Sequence, residues 1–334
     1  MIGVIGAGAW GTALAQVLAS DGSEVLLWAR EPELVTEINT AHSNSLFLPG
    51  ARLAPTIRAT GAVTDLSDCP ALLVVVPAQF LAGVLAALPP AAAGAEPRDL
   101  VLCAKGIEAG TGRLMAEVAA DVAPASRLAV LSGPTFAHEV AAGLPTAVTL
   151  ACGGGEAQWQ RLAPLISRKA LRPYYSDDVT GAEIGGSVKN VLAIACGVVE
   201  GLGLGQNARA ALIARGYAEM LRFGQAKGAR AETLAGLCGL GDLVLTCSST
   251  SSRNFSLGKA LGQGQSAAAA LSGKTSVAEG ASTAPVLADL AARAGIAMPI
   301  VSAVNRLLAG ELSAQEAAAE LLARPLRAEQ GGPP

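Results

Sequence analysis

Short apolar runs alternate with longer amphipathic stretches over the first half of the chain, and helical periodicity alone dominates the second half. Met1 to Ile5 is one apolar run, Thr12 to Ser20 an apolar segment of helical length, and Val25 to Trp28 a second short run. That order predicts strand, helix, strand. Glu31 to Thr40 reads as a helix, with Pro32 in the first turn where its missing N–H costs nothing. Asn44 to Pro55 reads as a loop marked by Pro49-Gly50. Leu72 to Val76 is predicted as a buried strand, Ala78 to Leu88 as a helix, and Pro89 to Pro97 as an Ala/Pro-rich surface loop. Further strands are predicted at Leu100 to Ala104, Leu128 to Leu131 and Ala147 to Ala151. Such alternation gives a parallel sheet flanked by helices.

From about Thr180 the strand-like runs nearly vanish. Ile184, Val188, Val191, Leu192 and Ala195 share one helical face. Asn207 suits the cap of a long helix reaching about Lys227. Cys238-Gly239-Leu240-Gly241-Asp242 reads as a glycine-rich turn. Helices are predicted from about Phe255, and at Ala278 to Ala294, Pro299 to Ala309 and Ala314 to Ala323, the last with a capping box of Ser313 and Glu316. The expected fold is α/β: an N-terminal Rossmann-type doubly wound sheet over residues 1–180, then an all-helical C-terminal domain over 181–326, with 327–334 a frayed tail. A length of 334 residues suits two cores better than one.

Composition removes several function classes. Hydrophobic residues are 51% and charged ones 15%, enough apolar material for large cores and against disorder. A net charge of −3 and 3% aromatic residues leave no footprint for nucleic acid or an anionic membrane. Mean hydropathy of +0.44 raises the question of a bilayer span. Pro70 to Ala95 is uncharged and long enough, but Pro77 and Pro89-Pro90 break it into strand and helix. No basic segment precedes the first apolar run, so no signal peptide is indicated and a cytoplasmic location is expected. Cys69, Cys103, Cys152, Cys196, Cys238 and Cys247 lack C-x-x-C spacing and read as small buried thiols. The two histidines, His42 and His138, have no metal-ligand spacing, so no metal is expected.

Candidate chemistry begins at Gly6-Ala7-Gly8-Ala9-Trp10-Gly11, between the first predicted strand and helix. Gly6 turns the chain, Gly8 lets the backbone approach a pyrophosphate, and Gly11 lets the helix pack on the strand, with helix N–H groups facing the phosphates. The alternative is a purely structural turn. An acid ending the second strand would hold the ribose 2′-hydroxyl of NAD; Arg30 stands there instead, with Glu31 after it, and can take a 2′-phosphate. That favours NADPH, with NADH still usable. In such sheets ligands sit beyond the carboxyl ends of the strands, here Val76-Pro77, Ala104-Lys105-Gly106 and Leu131-Ser132-Gly133-Pro134-Thr135. Lys105 is either a solvated loop lysine or a charge aimed at a ligand. Lys189 lies beside an apolar stripe among Gly185, Gly186 and Ser187. It either snorkels to water or is desolvated enough to exchange protons near neutral pH. Asp242 is a helix cap or a site carboxylate, and Ser248 to Asn254 is a serine loop or an anion site at a helix start.

Taken in order, several segments resemble the bacterial-type NAD(P)-dependent glycerol-3-phosphate dehydrogenases. They are Gly6 to Ala15, Lys105 to Glu108, Ser132 to Ala137, Glu183 to Ala195, Gly239 to Cys247 and Ser252 to Asn254, and the likeness runs from residue 2 to about 324. The resemblance implies reversible reduction of dihydroxyacetone phosphate to sn-glycerol 3-phosphate for phospholipid synthesis, with NADPH or NADH, no metal, and a homodimer. It implies Lys189 as catalytic proton donor and acceptor, and Lys105, Gly133, Thr135, Lys189, Asp242, Ser252, Arg253 and Asn254 as substrate positions. Gly6, Gly8, Ala9, Trp10, Gly11, Arg30, Phe47, Lys105, Ala137, Arg253, Val277 and Glu279 make up the cofactor set. Two departures stand out: Thr135 where Ser is common, and Phe255 where a basic residue or Tyr is common. The same two-domain layout suits 3-hydroxyacid dehydrogenases, and a dinucleotide sensor without turnover would dispense with Lys189 and Asp242.

Overall fold

The computed structural model describes residues 1–90, 96–272 and 278–325. Its strands are β1 (Ile2–Ile5), β2 (Val25–Trp28), β3 (Ile57–Thr60), β4 (Ala71–Val74), β5 (Asp99–Leu102), β6 (Arg127–Ser132), β7 (Thr146–Cys152) and β8 (Leu171–Ser176). Between and after them run α1 (Ala9–Leu18), α2 (Pro32–Ala41), α3 (Leu81–Ala86), α4 (Met115–Val122), α5 (Ala137–Ala141) and α6 (Gly155–Ile166). The rest is helical: α7 (Val179–Gly201), α8 (Gly205–Ala226), α9 (Ala231–Ala235), α10 (Asp242–Thr246), α11 (Arg253–Gly262), α12 (Ala267–Leu271), α13 (Glu279–Arg293), α14 (Pro299–Leu308) and α15 (Ala314–Leu322).

One eight-stranded sheet has the order β3-β2-β1-β4-β5-β6-β7-β8. Strand order reverses between β1 and β4, which makes the crevice at their carboxyl ends the switch point where such sheets bind ligands. Both faces are covered. Ala71, Leu73 and Val101 point into one core with α1, and Leu72, Val74, Leu100 and Leu102 into another with Met115 and Val118 of α4. Alternate residues of one strand thus feed opposite cores, so these strands read as unbroken apolar runs.

Three features depart from the sequence expectations. The sheet is not wholly parallel: β7 runs antiparallel to β6, and β8 follows β7. β3 and β8 were not expected, and neither were α4, α5 and α6; β3 and β8 are edge strands whose polar outward residues interrupt the apolar run, and Pro173 sits in β8. Asn207 lies inside α8, which Leu204 precedes at the cap position without a side-chain bond. By contrast Ser313 and Glu316 form the expected reciprocal cap of α15. The expected tail at 327–334 and part of the loop at Pro89 to Pro97 lie outside the described residues.

α7 anchors the helical half. Asp178 caps it by accepting from the Gly181 N–H at 2.8 Å. It is long and apolar enough to cross a membrane, but 94% of its apolar window is buried, which makes it a core helix. Its amino end packs by Gly153 after β7, and Gly186 lies against Ser132 at the end of β6, so the helix climbs the sheet before entering the helical half. There it meets α11 backbone to backbone: a Cβ on Gly197 would lie 2.0 Å from the Phe255 carbonyl oxygen.

Glu183 in the second turn of α7 is buried and accepts from the Ala116 N–H of α4 at 2.8 Å. Burial pushes its carboxyl up to about 8, with Glu117 adding to the shift and the α4 N–H groups opposing it. The folded chain therefore keeps this proton while the unfolded chain releases it near the ordinary value. Stability from this group is full below that ordinary value and is lost as pH rises towards 8. Glu183→Gln should flatten the fall: between pH 5 and pH 8.5 the variant's thermal midpoint drops less than that of the parent chain. Equal drops would show that the carboxyl is not held neutral.

Candidate active site

Lys189 leaves α7 less than two turns after Glu183, and its ammonium reaches a group of polar side chains. Its ammonium donates to Oδ1 of Asp242 at 2.7 Å and to Oγ1 of Thr246 at 2.8 Å. Asp242 opens α10, so Thr246 lies one turn further on the same helical face. The other carboxylate oxygen accepts from Lys105 at 2.8 Å, and Lys105 also donates to the Gly133 carbonyl at 3.1 Å. One carboxylate from the helical half thus holds two ammonium groups, one from each half of the chain.

Burial decides the electrostatics. The Asp242 side chain is 1% exposed and that of Lys189 7%. Desolvation pulls the Lys189 ammonium down to about 8; Asp242 resists and Lys105 adds to the fall. Burial alone would raise Asp242, but Lys105 and Lys189 outweigh it and hold the carboxyl below its ordinary value. Two cations and one anion leave a surplus positive charge at the carboxyl edge of the sheet. An anionic substrate, or negative charge developing on one, is favoured there.

The approach of the elements is a matter of missing Cβ atoms. The expected glycine turn before Asp242 is a π-helical turn, Leu237–Gly241, running straight into α10. A Cβ on Gly239 would lie 1.9 Å from the Leu234 carbonyl oxygen, and one on Gly185 of α7 would lie 2.5 Å from that of Cys238. Gly186 faces Ser132 and the stem of Lys105.

The remaining sequence candidates fall into two groups. Thr135 is half-buried, and its hydroxyl donates to the Gly133 carbonyl at 3.2 Å. Ser252 caps α11 through the Phe255 N–H, and Arg253 begins the helix, exposed and without an ion pair among the described residues. Asn254 is different: its side chain is taken up by Asn190 at 2.9 Å and by the Gly280 N–H at 2.9 Å. Asn190 in turn donates to the Lys105 carbonyl at 3.0 Å. Sequence reasoning missed Asn190 and Thr246. The signal for Asn190 was its place beside Lys189; Thr246 was hidden because Asp242 was read on a turn.

On the other side, Ala9, Trp10, Phe47 and Ala137 gather half-buried around the first core. Gly6 has φ of +112°, and a Cβ on Gly11 would lie 1.8 Å from the Gly6 carbonyl oxygen, whereas Gly8 faces open space. No side chain caps α1 at Gly8, so its first N–H groups stay available to an anion, and the Trp10 indole N–H is buried without a partner. These residues fit a dinucleotide. Arg30 follows β2, its side chain 75% exposed and paired with Glu31. Glu279 opens α13 and accepts from the Ala78 N–H at 3.3 Å, with burial raising its carboxyl against the pull of Arg253. Val277 lies outside the described residues.

Comparison with known proteins bears directly on this arrangement. Residues 1–158 match the family described as NAD-dependent glycerol-3-phosphate dehydrogenase N-terminus, and residues 178–319 its C-terminus. The chain belongs to the NAD-dependent glycerol-3-phosphate dehydrogenase family. A relative from Erythrobacter litoralis, named glycerol-3-phosphate dehydrogenase of the NAD(P)+ type, is 72% identical across 98% of this chain and 97% of its own length. One of the same name from Novosphingobium aromaticivorans is 69% identical across 98% of each chain. The crystal structure of glycerol-3-phosphate dehydrogenase from Coxiella burnetii superimposes with a TM-score of 0.89 at 40% identity, covering 97% of this chain and 98% of that one.

Because Gly185 lets α7 touch the π-helical turn, Gly185→Ala should cost about 1–3 kcal/mol by overpacking. Denaturant unfolding checks this. A midpoint equal to the parent's would mean the contact has slack.

Proposed function

We propose that this chain catalyses the reversible reduction of dihydroxyacetone phosphate to sn-glycerol 3-phosphate with NAD(P)H, for glycerophospholipid synthesis. The single observation that carries the reading is the Asp242 carboxylate gripping Lys189 and Lys105 together at the carboxyl edge, in a chain of this family.

A nicotinamide dinucleotide, with its pyrophosphate held by the glycine turn and the first N–H groups of α1, would supply the hydride. Lys189 gives its proton to the substrate oxygen as negative charge develops there, and takes it back in the reverse direction. Asp242 and Thr246 aim the ammonium, while Lys105 offsets the developing charge. Arg253 and the first N–H groups of α11 take the phosphate, capped from behind by Ser252. With its side chain committed elsewhere, Asn254 contributes its main-chain N–H. Gly133 and Thr135 complete the substrate side. Gly6, Gly8, Ala9, Trp10, Gly11, Phe47, Ala137 and Glu279 serve the cofactor, with Lys105 and Arg253 shared between cofactor and substrate and Val277 added on the sequence resemblance alone. Arg30 is free enough of the sheet to meet a 2′-phosphate, so NADPH is the favoured donor.

Residues 1–180 then serve as the dinucleotide-binding domain and 181–326 as the substrate domain, with the boundary in the first turn of α7. A cytoplasmic setting accords with six free buried cysteines, and a homodimer follows the family resemblance.

Absorbance assays of NADPH and NADH oxidation with dihydroxyacetone phosphate test the reading. Lys189→Ala should lower kcat by about 10²-fold or more. Unchanged kcat in a folded variant would sink the assignment. Reduction needs the protonated lysine and should fall as pH rises through about 8, while oxidation should rise over that range. Arg253→Ala should act chiefly by raising KM for dihydroxyacetone phosphate; an unaltered KM would place the phosphate elsewhere.

A further inference from the structure

Gln79 lies on the turn after β4, outside the lysine–aspartate group. Its Nε2 donates to the Ile107 carbonyl at 2.8 Å, and its Oε1 accepts from the Ala109 N–H at 2.9 Å. One amide therefore grips the loop that follows β5, two residues beyond Lys105. The loop and the turn also press together: a Cβ on Gly106 would lie 2.8 Å from the Cβ of Ala78. The start of this turn adjoins the glycine turn. Val75 donates to the Ile5 carbonyl at 2.8 Å, and its own carbonyl oxygen lies 2.8 Å from where a Cβ on Gly6 would stand.

On its far side the same loop is tied to the helix of Lys189. Asn190 donates to the Lys105 carbonyl at 3.0 Å, and the Ser187 hydroxyl, which donates chiefly to the Glu183 carbonyl at 2.7 Å, lies 3.3 Å from that of Gly106. Lys105 is thus slung between α7 and the β4 turn, with successive main-chain groups held from either side. Without the Gln79 grip, the loop would keep its attachment through β5 and its bonds to α7, and lose its side-chain hydrogen bonds to the β4 turn.

We propose that Gln79 is a positioning residue for Lys105, fixing the Lys105 loop to the turn that backs the glycine-rich segment. This rests on the role given to Lys105 above. The Gln79 side chain hydrogen-bonds the Lys105 loop and neither Lys189 nor Asp242, so the effect of these bonds on turnover passes through Lys105.

The full-length enzyme tests this with Gln79→Met, which keeps the shape and loses both hydrogen bonds, and Gln79→Glu, which keeps only the acceptor. Lys105→Met and the double variant Gln79→Met with Lys105→Met complete a cycle. Gln79→Met should lower kcat/KM for dihydroxyacetone phosphate by about tenfold, the size of a lost hydrogen bond or two. Gln79→Glu should fall between it and the parent. NADPH affinity by fluorescence titration should fall no further than it does in Lys105→Met, and the thermal midpoint should hold. In the Lys105→Met background the Gln79→Met change should cost nothing further. Equal losses in both backgrounds would overturn the role of Gln79 alone, as would a loss of NADPH affinity larger than that of Lys105→Met or a matching loss of thermal stability. A parent chain that fails to oxidise NADPH with dihydroxyacetone phosphate overturns the reading beneath it as well.

Discussion

The carboxylate of Asp242 is the fixed point of the molecule. It is buried, and a buried carboxylate without partners would cost several kcal/mol. Its two cationic partners come from opposite halves of the chain, Lys105 from the sheet and Lys189 from the central helix. The same charge that makes Asp242 tolerable in the interior therefore clamps the halves together and sets the two ammonium groups side by side. Removing any one member leaves the others miscounted: an acid with half its compensation, or cations that repel.

Close backbone approach is what lets that clamp close. Gly185 admits the π-helical turn that leads into Asp242, Gly186 admits the stem of Lys105, and Gly197 admits α11, whose first turn carries Arg253. These glycines are spaced along one helix, each meeting a different element. A helix of ordinary composition would hold its neighbours some ångströms further away, beyond hydrogen-bonding reach of the lysine.

How much of this was legible in the sequence follows from the range of each signal. Strands buried on both faces, such as Ala71–Val74, announce themselves as apolar runs, and the glycine turn after β1 is a local pattern. Edge strands are not so marked, because Arg58 and Arg172 face outward and Pro173 interrupts β8. Periodicity carries no direction, so the antiparallel step from β6 to β7 left no trace. The choice between a snorkelling and a buried Lys189 was open because its carboxylate partner lies 53 residues away. Gly239 and Gly241 read as turn residues, yet Gly239 serves close packing within a helical turn. That misreading hid Thr246. The resemblance implies Asn254 as a substrate position, but the sequence could not show its side chain already bound to Asn190.

The reversed pair β7 and β8 has a consequence for how the two halves are coupled. Because β7 and β8 run against the other strands, the chain leaves β8 at the amino edge of the sheet, and α7 travels the height of the sheet before Lys189 appears. The connection between the halves is thus a continuous rod rather than a flexible joint. Position on a rod is angular as well as linear: each residue turns it by about 100° and advances it by about 1.5 Å. The aim of Lys189 is therefore a matter of phase, counted from Val179. A side chain on a loop could tolerate an added residue; here one insertion would swing the ammonium to a different quadrant, with every contact of the helix rotated in step.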